Sequence, residues 1–200
     1  MRALQRGAER NRRVSQLRPT AVMAAAGDFE KIRMTTHTTR GFHFLIAVLV
    51  IVLDRAAKWA VTKNISLHDN IQVIPGFFRL THVENRGAAF GIFADSPSEW
   101  KIAALVMFSI VALAIVSVLL WRNSHSMHTT GIGLALILGG AVGNLWDRLL
   151  SGRVVDFLLF YVGQYQWHAF NVADSAIVVG AGLLVIEILF GKSSSPPKPA

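Results

Sequence analysis

Four runs of apolar residues, each close to the length that crosses a bilayer, constrain this chain more than anything else in it. They extend over Phe42 to Val61, Trp100 to Trp121, Gly131 to Leu150 and Ala173 to Phe190. About 20 predominantly apolar residues in a helix span the hydrocarbon core. The expected fold is therefore an all-α membrane protein with four transmembrane helices. Composition points the same way: 52% of residues are hydrophobic and 16% charged, whereas soluble domains carry about a quarter charged residues. The length allows roughly one domain.

The connections differ in kind. Residues 62–99 are too interrupted to be another span: IQVIPGFFRLTHVENRGAAFGIF has short β-like pieces broken at Pro75-Gly76 and Arg86-Gly87. These predict a small β-cradle lying on the membrane surface, with Phe77, Phe78, Phe90 and Phe93 as anchors. Residues 151–172 return along the surface between the third and fourth runs. Residues 1–41 form a basic extension expected to be disordered, with Met23 and Met34 as alternative starts. Residues 192–200 make a disordered, proline-containing tail. The membrane domain is then 42–191, with 62–99 as its extramembrane part.

The net charge of +8 does not indicate nucleic acid. Much of the basic charge precedes residue 41, and aromatic and basic residues are not interleaved as in single-strand binders. Juxtamembrane Lys and Arg instead set topology and contact anionic lipid. The basic arm, Arg122 in the 122–130 turn, and Lys192 and Lys198 place both termini in the cytoplasm. The cradle and residues 151–172 then lie together on the outer, periplasmic side. The chain has no cysteine, which excludes disulfides, thiolate nucleophiles and Cys-containing metal sites.

Ionisable residues beside or inside a membrane are costly and usually have a partner or a task. Asp54 and Lys58 stand four apart in the first run. That spacing predicts an intrahelical ion pair, with Lys58 snorkelling outward. In the third run Gly131, Ala135, Gly139 and Gly143 make a stripe of small residues suited to close helix packing. The stretch Gly139 to Ile177, GGAVGNLWDRLLSGRVVDFLLFYVGQYQWHAFNVADSAI, gathers most of the remaining polar chemistry. Asn144, Asp147 and Arg148 fall within one helical turn and predict a polar knot that braces a site, Asp147 with Arg148 pairing to a neighbour. Asn171-Val-Ala-Asp174 has the spacing of an N-cap and an acidic N3 residue, and on spacing alone capping accounts for Asp174 better than catalysis. Asp156, in GRVVDFLLFY, is hard to read as a solvated surface charge.

Topology puts Asp156 and Asp174 at similar depth. Two carboxylates in a partly dehydrated site share a proton: one serves as general acid while the other activates water. That is aspartic-protease chemistry. Asn85 reads as a turn asparagine. The histidines lack metal-ligand spacing, and no phosphate loop, zinc motif or Ser/His/Asp order stands out, so neither metal nor cofactor is expected.

NRGAAFG (Asn85 to Gly91), GGAVGNLWDR (Gly139 to Arg148), VVDF (Val154 to Phe157) and FNVADSAI (Phe170 to Ile177) occur in order. With Asp54 and Lys58, they resemble bacterial lipoprotein signal peptidase, or signal peptidase II, across about residues 42–190. The resemblance implies an inner-membrane aspartic endopeptidase. Such an enzyme removes the signal peptide from diacylglyceryl-modified prolipoproteins, cutting before the lipidated cysteine. Its partners would be those substrates and membrane lipids, and it is expected to act as a monomer. By the same resemblance Asp156 and Asp174 are the dyad. Asn85, Asn144, Asp147, Arg148, Asn171 and Ala173 shape the site and contact substrate, with Asp54 and Lys58 in support. The chain departs from the family pattern at Arg55, where glutamine is usual. A small transporter would want acids near mid-bilayer and an internal repeat; only Asp54 nears that depth, and no repeat is visible. A non-enzymatic scaffold explains the glycine stripe but not acids at the outer ends of two segments.

Overall fold

The computed structural model describes residues 39–87, 99–123 and 129–191. The expectations for the basic arm, the tail, Phe90 and Phe93 lie outside these residues. Four helices are present among them: α1 over residues 39–64, α2 at Glu99–Asn123, α3 at Thr129–Ser151 and α4 at Val172–Phe190. The strands are β1 at Asn70–Ile74, β2 at Phe78–Asn85, β3 at Val154–Val162 and β4 at Tyr165–Gln166.

Ile102–Asn123 of α2, α3 and α4 are long and apolar enough to cross a membrane, so the chain is a multi-pass membrane protein. The first apolar run also forms a helix, but Asp54, Arg55 and Lys58 interrupt its second half, and it is not among the three. On length and composition the structure thus supports three of the four predicted spans.

Helix α3 is the hub, and its glycines set how close its neighbours come. A Cβ on Gly139 would lie 2.7 Å from the Ala47 carbonyl oxygen, and one on Gly143 2.9 Å from Asp54 Oδ2. The predicted small-residue stripe is therefore the seam with α1, with Ala135 fully buried in it. A second seam was not visible in the i, i+4 pattern. Gly133 meets the Gly180 backbone on α4, and a Cβ on Gly140 would collide with the Ala173 carbonyl oxygen. Backbones this close gain dispersion contacts that lipid cannot replace. Helix α2 keeps much of its surface outward, with Trp100, Phe108, Ile115 and Trp121 exposed to where acyl chains would lie.

The sheet is antiparallel in the order β1-β2-β3-β4. It joins the two connections that the sequence presented as separate pieces. Gly152, at φ +67°, ends α3 in the left-handed region and donates its N–H to the Arg148 carbonyl 3.1 Å away. A side chain is disfavoured there, and the turn feeds β3 back across the end of the bundle. Val61 of α1 and Ile65 just beyond it pack on Phe157 of β3, with Leu80 and Val172 alongside. Full burial of such side chains is worth roughly 1.5–3 kcal/mol each, so this cluster pins the sheet to α1 and α4 together. Phe160 has its ring 5.2 Å from Phe77, 4.9 Å from Phe78 and 5.9 Å from Phe170. Phe77 and Phe78 thus pack within the sheet's aromatic cluster, while Phe77 keeps an exposed side.

Candidate active site

The site is built on the first turn of α4. Asn171 is extended at φ −130° and caps the helix. Its Oδ1 accepts the Asp174 N–H at 2.9 Å, and Asp174 Oδ2 accepts the Asn171 N–H at 3.3 Å. This reciprocal box satisfies backbone donors that a helix start leaves unpaired. A further donor, the Ala173 N–H, goes to Asp54 Oδ1 of α1 at 3.0 Å. The cap predicted from Asn171-Val-Ala-Asp174 is real.

It does not exhaust those residues. Asn171 Nδ2 donates to Asp156 Oδ1 at 2.7 Å and to Asn144 Oδ1 at 3.3 Å. Asp156 Oδ2 accepts from Asn85 Nδ2 at 3.0 Å. Strand register explains that contact: Asn85 stands opposite Val154 and Val83 opposite Asp156, so Asn85 and Asp156 are diagonal neighbours on one face. Asn85 also keeps its turn role, its Oδ1 accepting the Gly87 N–H at 2.7 Å. Asn144 Nδ2 completes the set by donating to Asp174 Oδ1 at 2.7 Å. Asp156 and Asp174 line one cavity of about 740 Å³ with Asn85, Asn144, Arg148 and His168; Leu105, Phe108, Ile137 and Val178 supply apolar wall. The two aspartates singled out in the sequence do meet at one cavity.

Asp156 is 3% exposed. Burial, and next the negative charge of Asp174, push its carboxyl up to about 7; the amides of Asn85 and Asn171 and the charge of Lys58 pull it down less strongly. A carboxyl poised near neutrality can both hold and release a proton under ordinary conditions.

Behind this group lies an ionic knot. Lys58 does not snorkel outward as predicted; it is 1% exposed. Its ammonium touches Asp54 Oδ2 at 2.7 Å, Asp147 Oδ2 at 2.6 Å and Asn144 Oδ1 at 3.2 Å. The i, i+4 pair exists, but the face it shares is turned toward α3, where Lys58 meets the Asp147 carboxylate and the Asn144 carbonyl. Asp147 pairs with α1 rather than with anything near Arg148: its other oxygen binds Arg55 Nη1. Arg148 reaches the carbonyls of Asn144 at 3.4 Å and Gly87 at 3.5 Å. Ala173 is fully buried, and its part is to let α3 approach through Gly140. Sequence reasoning missed the tie from Arg55 to Asp147. The available signal was a cation where glutamine is usual, next to an acid with a buried partner. Among the described residues, no group of three or more His, Cys, Asp or Glu is gathered as for a metal ion.

Comparison with known proteins sets the class first. Two solved structures described as bacterial membrane enzymes superpose with TM-scores of 0.69 and 0.67, each at 30% identity. The first match covers 80% of this chain and 94% of that one. The family model described as signal peptidase (SPase) II matches residues 46–190. The lipoprotein signal peptidase of Solibacter usitatus is 50% identical over 144 residues, covering 72% of this chain and 88% of that protein. That of Desulforapulum autotrophicum is 48% identical over 152 residues, covering 74% and 91%. The chain belongs to the signal peptidase II family, the lipoprotein signal peptidases. It is accordingly a membrane peptidase of the aspartic type, with signal-peptidase-II cleavage as its activity.

Proposed function

We propose that Asp156 and Asp174 are the catalytic pair, and that they cleave diacylglyceryl-modified prolipoproteins before the lipidated cysteine. The observation that carries this reading is their convergence on one cavity, each carboxylate held by side-chain amides and both gripped by Asn171. The pair shares one proton and titrates as a unit. Its ionised member takes a proton from a water held between the two. The hydroxide so formed attacks the scissile carbonyl carbon, while the protonated member gives its proton to the carbonyl oxygen. When the intermediate collapses, the C–N bond breaks. The leaving nitrogen takes the proton drawn from water, and the carbonyl oxygen returns the other.

Asn85 and Arg148, at the cavity wall, position the substrate backbone. The apolar flank at Leu105, Phe108, Ala112 and Val178 suits the acyl chains and the signal helix. In this reading α1 is the fourth span. Its acids and Lys58 are buried against α3, while Phe44, Leu45, Leu49 and Val52 are exposed as for lipid. The enzyme works as a monomer in the bacterial inner membrane, with both termini cytoplasmic and the sheet and cavity at the outer leaflet. Its partners are prolipoproteins and lipids, not nucleic acid.

Asp156→Asn and Asp174→Asn are each expected to reduce cleavage of a lipidated prolipoprotein about 10³-fold or more, read by gel mobility on purified, membrane-inserted protein. Near-wild-type cleavage by either variant overturns the dyad.

A further inference from the structure

Lys58 has three donors, and all three are committed: to Asp54, Asp147 and Asn144. Because an ammonium can only donate, its contact fixes which end of the Asn144 amide faces it. Asn144 Oδ1 turns to Lys58 and Asn171 Nδ2, and Nδ2 is left to aim at Asp174. The alignment of the dyad's amide donors thus depends on Lys58 staying where it is. Two carboxylates pull on it, but one of them, Asp147, is shared. Arg55 holds Asp147 Oδ1 from the neighbouring helical position. Counted as charges, the knot has two acids, Asp54 and Asp147, against two bases, Lys58 and Arg55. It is neutral only with Arg55 present.

We propose that Arg55 is a positioning residue for the cleavage reaction: it neutralises Asp147, leaves Lys58 free to fix Asn144, and keeps net negative charge from building up behind the dyad. This role rests on the dyad reading above and adds to it. The charge of the knot reaches the site, since Lys58 is felt at Asp156. The charged and titratable groups facing the pair are few. Helix α1 brings Asp54 and Lys58, α3 brings Asp147 and Arg148, and His168 lines the cavity mouth. On the sheet, Glu84 stands opposite Val155, on the face away from Asp156, and is paired with Arg153 at 2.8 Å; the described part of α2 lining the cavity is apolar apart from Ser109. Substitution at 55 or 147 therefore changes one term while the rest stay fixed.

The test is the pH profile of kcat/KM on a diacylglyceryl-modified prolipoprotein, for wild type, Arg55→Gln, Asp147→Asn, the double variant and Arg55→Lys. Arg55→Gln leaves the knot one charge negative, which favours the protonated pair, so both limbs move to higher pH. Asp147→Asn leaves it one charge positive, so both limbs move to lower pH. Each displacement is expected to be roughly half a unit, as Arg55 is partly screened by solvent. The neutral double variant returns toward wild type, and Arg55→Lys keeps the wild-type limbs. If Arg55→Gln fails to insert, the acid-ward shift of Asp147→Asn and its reversal in the double variant carry the test. Unmoved limbs, or shifts of one sign in both single variants, overturn the proposal. Asp174→Asn is run alongside: if it still cleaves, the dyad reading falls instead. If Asp174→Asn is inactive while the charge variants stay at wild-type limbs, only the role of Arg55 falls.

Discussion

Two pairs of aspartates, all buried but the half-buried Asp174, lie on either side of Asn144, and they are solvated by different chemistry. Asp54 and Asp147 are held by cations, Lys58 between them and Arg55 on the outer oxygen. Asp156 and Asp174 are held by neutral amides, from Asn85, Asn144 and Asn171. An adjacent ammonium or guanidinium ties a carboxylate into a salt bridge and occupies its oxygens. Amide donors favour the ionised form less than burial and the neighbouring acid oppose it at Asp156, so a proton stays in play there. The same residue type, on α1 and α3 or at the cavity, is set in a different role by its partners. Asn144 belongs to both sets, bonding Lys58 on one side and Asp174 on the other, and on the proposed reading it lets the ionic pair orient the catalytic one.

The comparison predicts that the cation-held pair fails structurally where the amide-held pair fails chemically. Lys58→Met takes the cation from Oδ2 of two buried carboxylates, Asp54 and Asp147. The expected loss is about 3–5 kcal/mol, the range for breaking a buried ion pair from one side, seen as a fall in Tm in detergent. A variant that keeps wild-type Tm would dissolve the distinction. The next effect is a slope. The folded state holds the Asp156 proton until pH rises to about 7, whereas an unfolded chain releases it near the ordinary carboxylate value. Between those limits the folded state binds more protons, so its stability falls as pH rises, by roughly 1.4 kcal/mol per unit. Asp156→Asn lacks this slope. Its stability relative to wild type should improve steadily from pH 4 to 7, and parallel curves would mean that Asp156 titrates normally. The smallest effect belongs to an ion pair that is neither buried nor catalytic. Glu84→Gln removes the partly exposed bridge to Arg153, and a change in Tm equivalent to about 1 kcal/mol or less is expected. A larger loss would show that burial is not what separates the pairs.

Much of this was legible in residue order, and what was not shares one cause. Apolar run length located all four helices, and the Pro-Gly and Arg-Gly breaks located β1 and β2 but not their pairing with β3. The Asn171 to Asp174 spacing gave the cap, and the resemblance gave both cavity aspartates, which geometry then brought together. The errors came where a local pattern had to be completed by a distant partner. Spacing pairs Asp54 with Lys58 but does not say what their face meets, so Lys58 was sent outward when Asp147 and Asn144 were waiting across the α1–α3 seam. Of the knot at Asn144, Asp147 and Arg148, the first two are tied to α1 through Lys58 and Arg55, while Arg148 bonds the Asn144 and Gly87 carbonyls. The 3.6-residue period likewise revealed one glycine seam on α3 and hid the second, because Gly133 and Gly140 are seven apart and look like chance until α4 is placed against them.

Asn171 shows how narrow the choice of residue becomes when two demands fall on one side chain. A helix start is content with serine, threonine, aspartate or asparagine, since any of their oxygens can receive the waiting N–H. The neighbouring carboxylate asks for a donor as well, and of these four only asparagine offers an acceptor and an NH₂ on the same planar group. Serine has a single rotor to divide between Asp174 and Asp156. Aspartate would cap equally well but would set a third carboxylate beside Asp156 and Asp174. A position permissive for folding is thus strict for chemistry, and substitutions there would separate enzymes that merely insert from enzymes that cut.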